Sequence, residues 1–551
     1  MKGQVMQRIL AVCFALFSMF LSTICWAQET SDDNLQYAKI GVLYDQIKTR
    51  GKIIVGVKAD YPPWGMYNSD GSELLGLEID LAKDLANRMG VDIELVAVNS
   101  QNRLQKVEDG SIDLVIATMG DTDTRREQSG LILPNYYSSG VALLSKSDTI
   151  FTDWNQLKGR DICLTRGAYF NPVLIERFLI TPVLYDGTRD TGLGLKSGQC
   201  IGWAYDNTSL EQTIADGTWD GFTFKLPTIL SAPWALAVPK AEQNAKFGAF
   251  TSSVVEDWLR TGFILDLQAK WGLPQSEFLI EQRDIYNRQS DDGAGFVCIR
   301  DEFGQYPAEC QSQQIVNTKI AIDDKPNYIL YLENKLGLDF SPFFSGYVRA
   351  SVIKGIWITF VLSVLSIVGS LFFSVAFVKI GAHKLRVLRV VAHTLVAIFR
   401  STPPLILLYV VFFGFGALMF QRYGLSLSSI LAAVLVFSLY AGAGIGGVLM
   451  PSYQRFVREN TQLGGKGASP LSRAFETNID AVVANCVNIV KATGLASAIA
   501  VPELITTSHS IIADWGNSAT MMNLLLIGYF IYVLIVVTIL RGFVNLVVKN
   551  A

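Results

Sequence analysis

Ile112-Asp113-Leu114-Val115-Ile116-Ala117, followed at once by Thr118-Met119-Gly120-Asp121-Thr122-Asp123-Thr124-Arg125, is the stretch on which the fold turns. A short apolar run of this kind predicts a strand buried on both faces, and the abrupt change to polar residues predicts a loop at its carboxyl end. Upstream, Lys52-Ile53-Ile54-Val55-Gly56-Val57 also reads as a strand. Residues 79–89 show helical spacing at Ile79, Leu81, Ala82, Leu85, Ala86 and Met89, and residues 91–98 return to strand. Strand and helix alternate in this way in α/β domains, whose ligands sit beyond the carboxyl ends of the strands. The polar stretch 118–125 is therefore the first place to look for a binding site.

Beyond that domain the character of the chain changes. The 551 residues are 50% hydrophobic and 17% charged, with mean hydropathy +0.31 and a net charge of -3. These averages exclude a disordered chain, a disulfide miniprotein and an overall basic nucleic-acid binder. From Phe340 onward there are 15 Lys and Arg against five acids, a net of +10, which leaves -13 on residues 1–339. An acidic soluble part is joined to a basic apolar part.

The basic part reads as membrane. Residues 355–378, 401–421, 423–454 and 515–540 carry no charge over 24, 21, 32 and 26 positions, and 481–502 is apolar apart from Lys491. A spanning helix needs about 20 apolar residues, so five helices are expected. With the acidic part outside, segments 379–392, 451–480 and 541–551 fall inside and carry ten Lys and Arg. The outside connections 422–426 and 503–514 carry only Arg422. That asymmetry is the positive-inside pattern and puts the C-terminus in the cytoplasm.

The N-terminus fits export. Lys2 and Arg8 precede an apolar run over 9–21, and Cys25-Trp26-Ala27 supplies a small-x-small site before Gln28, so residues 1–27 read as a signal peptide. Four cysteines outside the leader and the membrane part, Cys163, Cys200, Cys298 and Cys310, permit three pairings. Cys298 and Cys310 flank a turn-rich Phe303-Gly304-Gln305-Tyr306-Pro307, and the expected pairs are Cys163 with Cys200 and Cys298 with Cys310, as an oxidising compartment allows. No metal site is expected, because His383, His393 and His509 all lie in the basic part.

The order Ala59-Asp60-Tyr61-Pro62-Pro63-Trp64, Gly76-Leu77-Glu78-Ile79-Asp80-Leu81-Ala82, Gly110-Ser111-Ile112-Asp113-Leu114-Val115-Ile116, Thr122-Asp123-Thr124-Arg125, Asn135-Tyr136-Tyr137 and Leu157-Lys158-Gly159 resembles the periplasmic amino-acid-binding proteins of ABC importers. The resemblance implies two α/β lobes closing on the ligand, joined by two crossing strands near 138–144 and 230–238. The chemistry of an amino-acid zwitterion suits it: each charge, once buried, needs a partner. Arg125 offers a planar fork for the carboxylate, supplemented by Thr118 and the amide of Gly120. Asp206, in Trp203-Ala204-Tyr205-Asp206-Asn207, stands where the family places its ammonium partner. Tyr61 and Trp64 are candidates for the wall of the side-chain pocket, or else core. Where the family commonly has Gly-Thr-Thr, this chain has Gly167-Ala168-Tyr169, which puts Tyr169 into the site.

The apolar part resembles the histidine- and glutamine-type permeases of the same importers. Arg400-Ser401-Thr402-Pro403-Pro404-Leu405 is similar to their Arg-Gly-Thr-Pro-Leu motif, and Lys491-Ala492-Thr493-Gly494-Leu495-Ala496-Ser497 to their Lys-Asp-Thr-Ser-Leu. Lys491, a cation in an apolar segment, is a candidate gate residue or snorkels to the surface. The cytoplasmic stretch Arg458-Glu459-Asn460-Thr461-Gln462-Leu463-Gly464 lacks the two alanines of the family's ATPase-docking motif. Gly464-Gly465-Lys466-Gly467-Ala468-Ser469 fails the spacing of a phosphate loop.

These readings combine into an α/β two-lobed periplasmic-binding-protein fold followed by an all-α membrane domain of five transmembrane helices. The expected division is a signal peptide (1–27), an amino-acid-binding domain (28–275), a periplasmic linker with a disulfide (276–343) and a permease domain (344–551). The implied function is a non-enzymatic importer subunit of the bacterial inner membrane that binds and translocates an amino acid. It holds no cofactor itself, leaves ATP to a separate ATPase, pairs as a homodimer or with a second permease, and has no nucleic-acid partner. The alternative is a ligand-binding membrane sensor whose permease-like part no longer transports.

Overall fold

The computed structural model describes residues 41–215, 217–290, 295–301, 305–310, 325–336, 338–462, 469–515 and 518–550. The signal-peptide segment, Gly304 and the glycine-rich stretch 463–468 lie outside the described residues.

The apolar runs become strands of one nine-stranded sheet. Its order is Asp92–Val98, Lys52–Lys58, Leu114–Ile116, Ile229–Val238, Gly130–Lys146, Gly202–Asp206, Asp161–Thr165 and Thr181–Tyr185, with Phe222–Phe224 beside Gly130–Lys146. Lys52–Lys58 pairs in parallel with both of its neighbours, as do Asp161–Thr165 and its neighbours. The helix Leu77–Met89 covers one end of the sheet with Leu77, Ile79, Leu81, Leu85 and Met89 and stops at Gly90, whose φ of 68° only glycine adopts readily.

Two long strands divide this sheet into lobes. Gly130–Lys146 runs antiparallel to Ile229–Val238. At one end Ala237 pairs with Val115 of the first lobe. At the other, residues 141–145 pair with Gly202–Asp206 of the second. The crossings expected near 138–144 and 230–238 are these strands. A disulfide joins Cys163 to Cys200 inside the second lobe, and another joins Cys298 to Cys310.

The segment after residue 276 packs on the α/β domain. The helix Glu277–Tyr286 buries Leu279 and Tyr286, and Tyr306 Oη lies 2.9 Å from Ser252 Oγ on the helix Lys246–Thr261. Cys298, Tyr306 and Cys310 are all buried there; the disulfide closes a loop within this segment, and Tyr306 seats that loop against the helix Lys246–Thr261.

Among the described residues five helices are long and apolar enough to cross a membrane: Gly346–Gly381, Pro404–Tyr423, Ser429–Asn460, Ile479–Ile499 and Thr520–Ile539. The first and third pack closely because small residues face one another. A Cβ on Gly369 would fall 2.2 Å from Ser438 Oγ, and one on Gly442 would meet Phe373 Cβ at 2.8 Å and Ser370 O at 3.0 Å. Such close backbone approach is how helices associate where no hydrophobic drive separates them from lipid.

The α/β domain rests on one end of the helical domain. Gln199 Nε2 donates to Leu427 O at 2.9 Å, Lys146 Nζ sits 4.6 Å above the ring of Phe420, and Gln128 Nε2 reaches Asp514 O at 3.5 Å. Phe420 and Leu427 bracket the connection 422–426, and Asp514 ends the connection 503–514.

Candidate functional site

The polar stretch after the strand Leu114–Ile116 lies where the two lobes meet. Its helix Asp123–Gln128 is capped by Thr122, whose side chain accepts from the Arg125 amide at 3.3 Å. The cap aims Arg125 into the interlobe space, where it is 6% exposed. Its guanidinium donates to Gly120 O at 2.9 Å in the first lobe and to Gly167 O at 3.0 Å in the second. These two bonds use part of a five-donor fork and leave the rest for a ligand. Burial, and then Arg103, bring the Arg125 pKa down to about 9.

Asp206 ends the strand Gly202–Asp206 in the second lobe and is 6% exposed. Tyr61 Oη, from the first lobe, donates to its Oδ2 at 3.2 Å. Its Oδ1 is buried with no partner. Burial pushes the Asp206 carboxyl up to about 6, against the Tyr61 bond and the nearby Lys58, Arg103 and Arg125. A buried carboxylate oxygen with nothing bound to it costs free energy until a cation or donor arrives.

The lobes are closed on each other at these residues. Besides the Arg125 and Tyr61 bonds, Thr188 Oγ1 donates to Asp60 O at 2.6 Å and Gln101 Nε2 to Asp186 Oδ1 at 3.2 Å.

The remaining expected residues fall into place unequally. Thr118 adopts a φ of 45°, uncommon for a β-branched residue. Its amide is taken by Glu78 Oε1 at 2.6 Å, which leaves only its hydroxyl for a ligand. Gly120 pairs with Trp234 across an isolated bridge. Trp64 is fully buried, its ring centroid 4.4 Å from that of Tyr137 and 4.9 Å from that of Trp234, so it belongs chiefly to an aromatic core; its Nε1 is buried without a partner. Tyr61 is equally buried, but its hydroxyl reaches Asp206. Tyr169 does enter the site: its ring lies 5.8 Å from the Arg125 carbon, and its hydroxyl donates to Leu230 O at 2.6 Å on the crossing strand. A Cβ on Gly120 would come within 2.9 Å of that ring.

Arg400 and Lys491 are not part of this constellation. Both are exposed, Arg400 at the end of the helix Arg386–Ser401 and Lys491 near the end of Ile479–Ala492.

Three buried charged groups around the cleft escape sequence reading. Lys58 is wholly buried, donates to Ser100 Oγ at 2.9 Å and lies 3.7 Å from Asp60. Arg103 donates to the carbonyls of Ala117 and Thr118. Glu78 accepts from Tyr136 Oη as well as from Thr118, and burial pushes its carboxyl up to about 7. The one sequence signal was Glu78 between the apolar Leu77 and Ile79 at the helix start. No group of three or more His, Cys, Asp or Glu that could hold a metal occurs among the described residues.

The closed cleft thus buries an arginine fork and a carboxylate with one unpartnered oxygen, with aromatic rings around them. Such an arrangement binds a small molecule carrying an anion and a cation. The chain is similar to several known proteins. The glutamine-binding protein of Geobacillus stearothermophilus is 31% identical over 171 residues, 30% of this chain and 65% of that protein. The ABC transporter glutamine-binding protein of Bacillus subtilis is 27% identical over 233 residues, 41% of this chain and 84% of its own. The L-cystine-binding protein of Escherichia coli is 30% identical over 130 residues, 23% of this chain and 48% of its own. Among these three the chain spans from about half to over four-fifths of the relative's length. The structure of holo ArgBP from T. maritima aligns with 41% of this chain and 99% of its own at 24% identity and a TM-score of 0.37. Residues 53–274 match the family model of bacterial extracellular solute-binding proteins, family 3.

Proposed function

We propose that this chain is an amino-acid ABC importer subunit that combines substrate capture with membrane translocation. The carrying observation is the pair made by Arg125 and Asp206 in the closed cleft, where Asp206 Oδ1 is buried without a partner. Arg125 takes the ligand carboxylate and Asp206 the ammonium, so that neither charge is buried alone. The glutamine, cystine and arginine named for the relatives are candidate ligands.

The docking of the binding domain supports the membrane role. It touches Phe420, Leu427 and Asp514, at the two connections that the distribution of Lys and Arg assigns to the outside. The reading therefore places the binding domain in the periplasm, the helices in the inner membrane and the C-terminus in the cytoplasm. Energy comes from a separate ATPase, and a second helical domain, from another copy or another permease, completes the pathway.

ATP-dependent uptake of labelled amino acids into proteoliposomes holding the full chain and its ATPase tests this. Uptake is expected to be lost in Arg125→Ala; uptake unaffected by that change defeats the assigned site. A second reading, a ligand-binding sensor, draws on Glu459. Its carboxylate is held by Arg455 at 2.9 Å and Arg473 at 3.2 Å, within the region where the family's ATPase-docking motif would lie. Ligand binding with no uptake and no co-purifying ATPase would favour it.

A further inference from the structure

One carboxylate at the junction of the two domains has no role in the cleft. Asp514 lies in the last turn of the helix Leu504–Trp515, outside the five membrane helices. A cavity of about 490 Å³ separates it from the binding domain and is lined by Thr122, Arg125 and Tyr169 on one side and by Asp514 and Trp515 on the other. That volume falls within the range of about 300–1,000 Å³ typical of small-molecule pockets. The Gln128 side chain holds the Asp514 carbonyl at 3.5 Å and so fixes this end of the helix against the first lobe.

Arg125 consequently has carboxylates on two sides. Asp206 acts on it from within the cleft and Asp514 from across the cavity. Other charges nearby are already engaged: Asp339, also on the cavity wall, meets Lys325 at 3.7 Å and accepts from the Ser341 amide at 2.8 Å, and Arg166 is paired with Asp186. Asp514 forms no ion pair among the described residues. Burial pushes its carboxyl up to about 7, with Arg125 and Arg166 drawing it down.

An amino acid leaving the cleft toward the helices has to pull its ammonium from Asp206 before it meets water, and an unpaired ammonium in a low-dielectric passage is costly. Its carboxylate need not move far, because Arg125 borders both spaces. We propose that this cavity is a second amino-acid site, a handover position at which the ligand keeps its carboxylate on Arg125 while its ammonium passes from Asp206 to Asp514. The Thr122 hydroxyl and the face of Trp515 complete the surroundings of the transferred molecule. The inference rests on the amino-acid reading of Arg125 and Asp206.

The test uses the full chain and a 14C-labelled mixture of the protein amino acids as probe. Equilibrium binding is measured on protein in lipid nanodiscs, and initial uptake in host cells lacking the native copy, where the cognate ATPase is present. Asp514→Asn is expected to bind label within twofold of wild type yet to take it up at least tenfold more slowly. Asp514→Glu should restore uptake to within threefold, which a merely structural aspartate would not allow, and Glu281→Gln, exposed on the helix Glu277–Tyr286 and outside the cavity, should take up label within twofold of wild type as the control for lost negative charge. Uptake by Asp514→Asn within twofold of wild type, while Asp206→Asn loses binding, overturns the handover and leaves the importer reading standing. Binding lost in Asp514→Asn as severely as in Asp206→Asn also overturns it, because Asp514 would then belong to the cleft itself. A wild-type chain that binds none of the label defeats the importer reading and the handover with it.

Discussion

Asp206 makes a pH-dependent claim about the site. Its carboxyl titrates near 6 in the closed cleft, and only the ionised form pairs with an ammonium. Ligand affinity measured by calorimetry should therefore hold steady above about pH 7 and fall toward tenfold per unit below 6. The empty domain moves the other way. A buried acid whose pKa is raised binds its proton more tightly folded than unfolded, so its contribution to stability is present below the unfolded value and is lost as pH rises through about 6. Asp206→Asn removes the charge and keeps the shape, and should cost about 2–5 kcal/mol of binding, the usual loss when one partner of a buried charged pair goes. Arg125 and Asp206 were legible because the zwitterion's chemistry asks for one group of each sign within a motif of known order. Lys58, Arg103 and Glu78 were not, since in sequence a buried charge looks the same as a solvated one. Only the folded chain shows Lys58 against Ser100 and Arg103 on the Ala117 carbonyl.

Among the elements, apolar periodicity located the strands and the helix Leu77–Met89 to within a few residues, because each buries a continuous face. Ends were harder. The first membrane helix begins at Gly346, nine residues before the uncharged run, because Arg349 and Lys354 continue the helix beyond the apolar stretch. Hydropathy also hides which helices touch. Gly442 marks the contact, since its missing side chain lets the third helix close on Ser370 and Phe373 of the first. Gly442→Leu is expected to destabilise the helical domain by about 1–3 kcal/mol, the cost of overpacking a close contact. Thermal unfolding in detergent, followed by loss of monodispersity, would read this as a lower midpoint, with ligand binding by the α/β domain retained.

For the whole molecule, the acidic and basic parts cancel to a net of -3, and the proposed topology assigns them to two compartments. Single cysteines placed at Ser426 and Thr477, in a chain whose free Cys486 is replaced, should separate them. An impermeant maleimide is expected to label position 426 in intact cells from which the outer barrier has been removed, and position 477 only after the inner membrane is opened. The reverse pattern would invert the topology. The change from an α/β to an all-helical architecture was readable because hydropathy and charge change together near residue 340. The contact between the domains was not, because the residues that make it, Gln128, Gln199 and Phe420, carry no pattern distinguishable from any other surface.

The junction itself joins two parts of one polypeptide through hydrogen bonds, a lysine over a ring and apolar contacts such as that of Tyr185 with Phe413. Between separate proteins such a surface would depend on the concentration of the free binding partner to stay occupied. Tethering replaces the free concentration of a partner by an effective local one, so the contact re-forms after each opening. Uptake by such a chain would then depend on the supply of amino acid alone, with no second dependence on the abundance of a diffusing receptor.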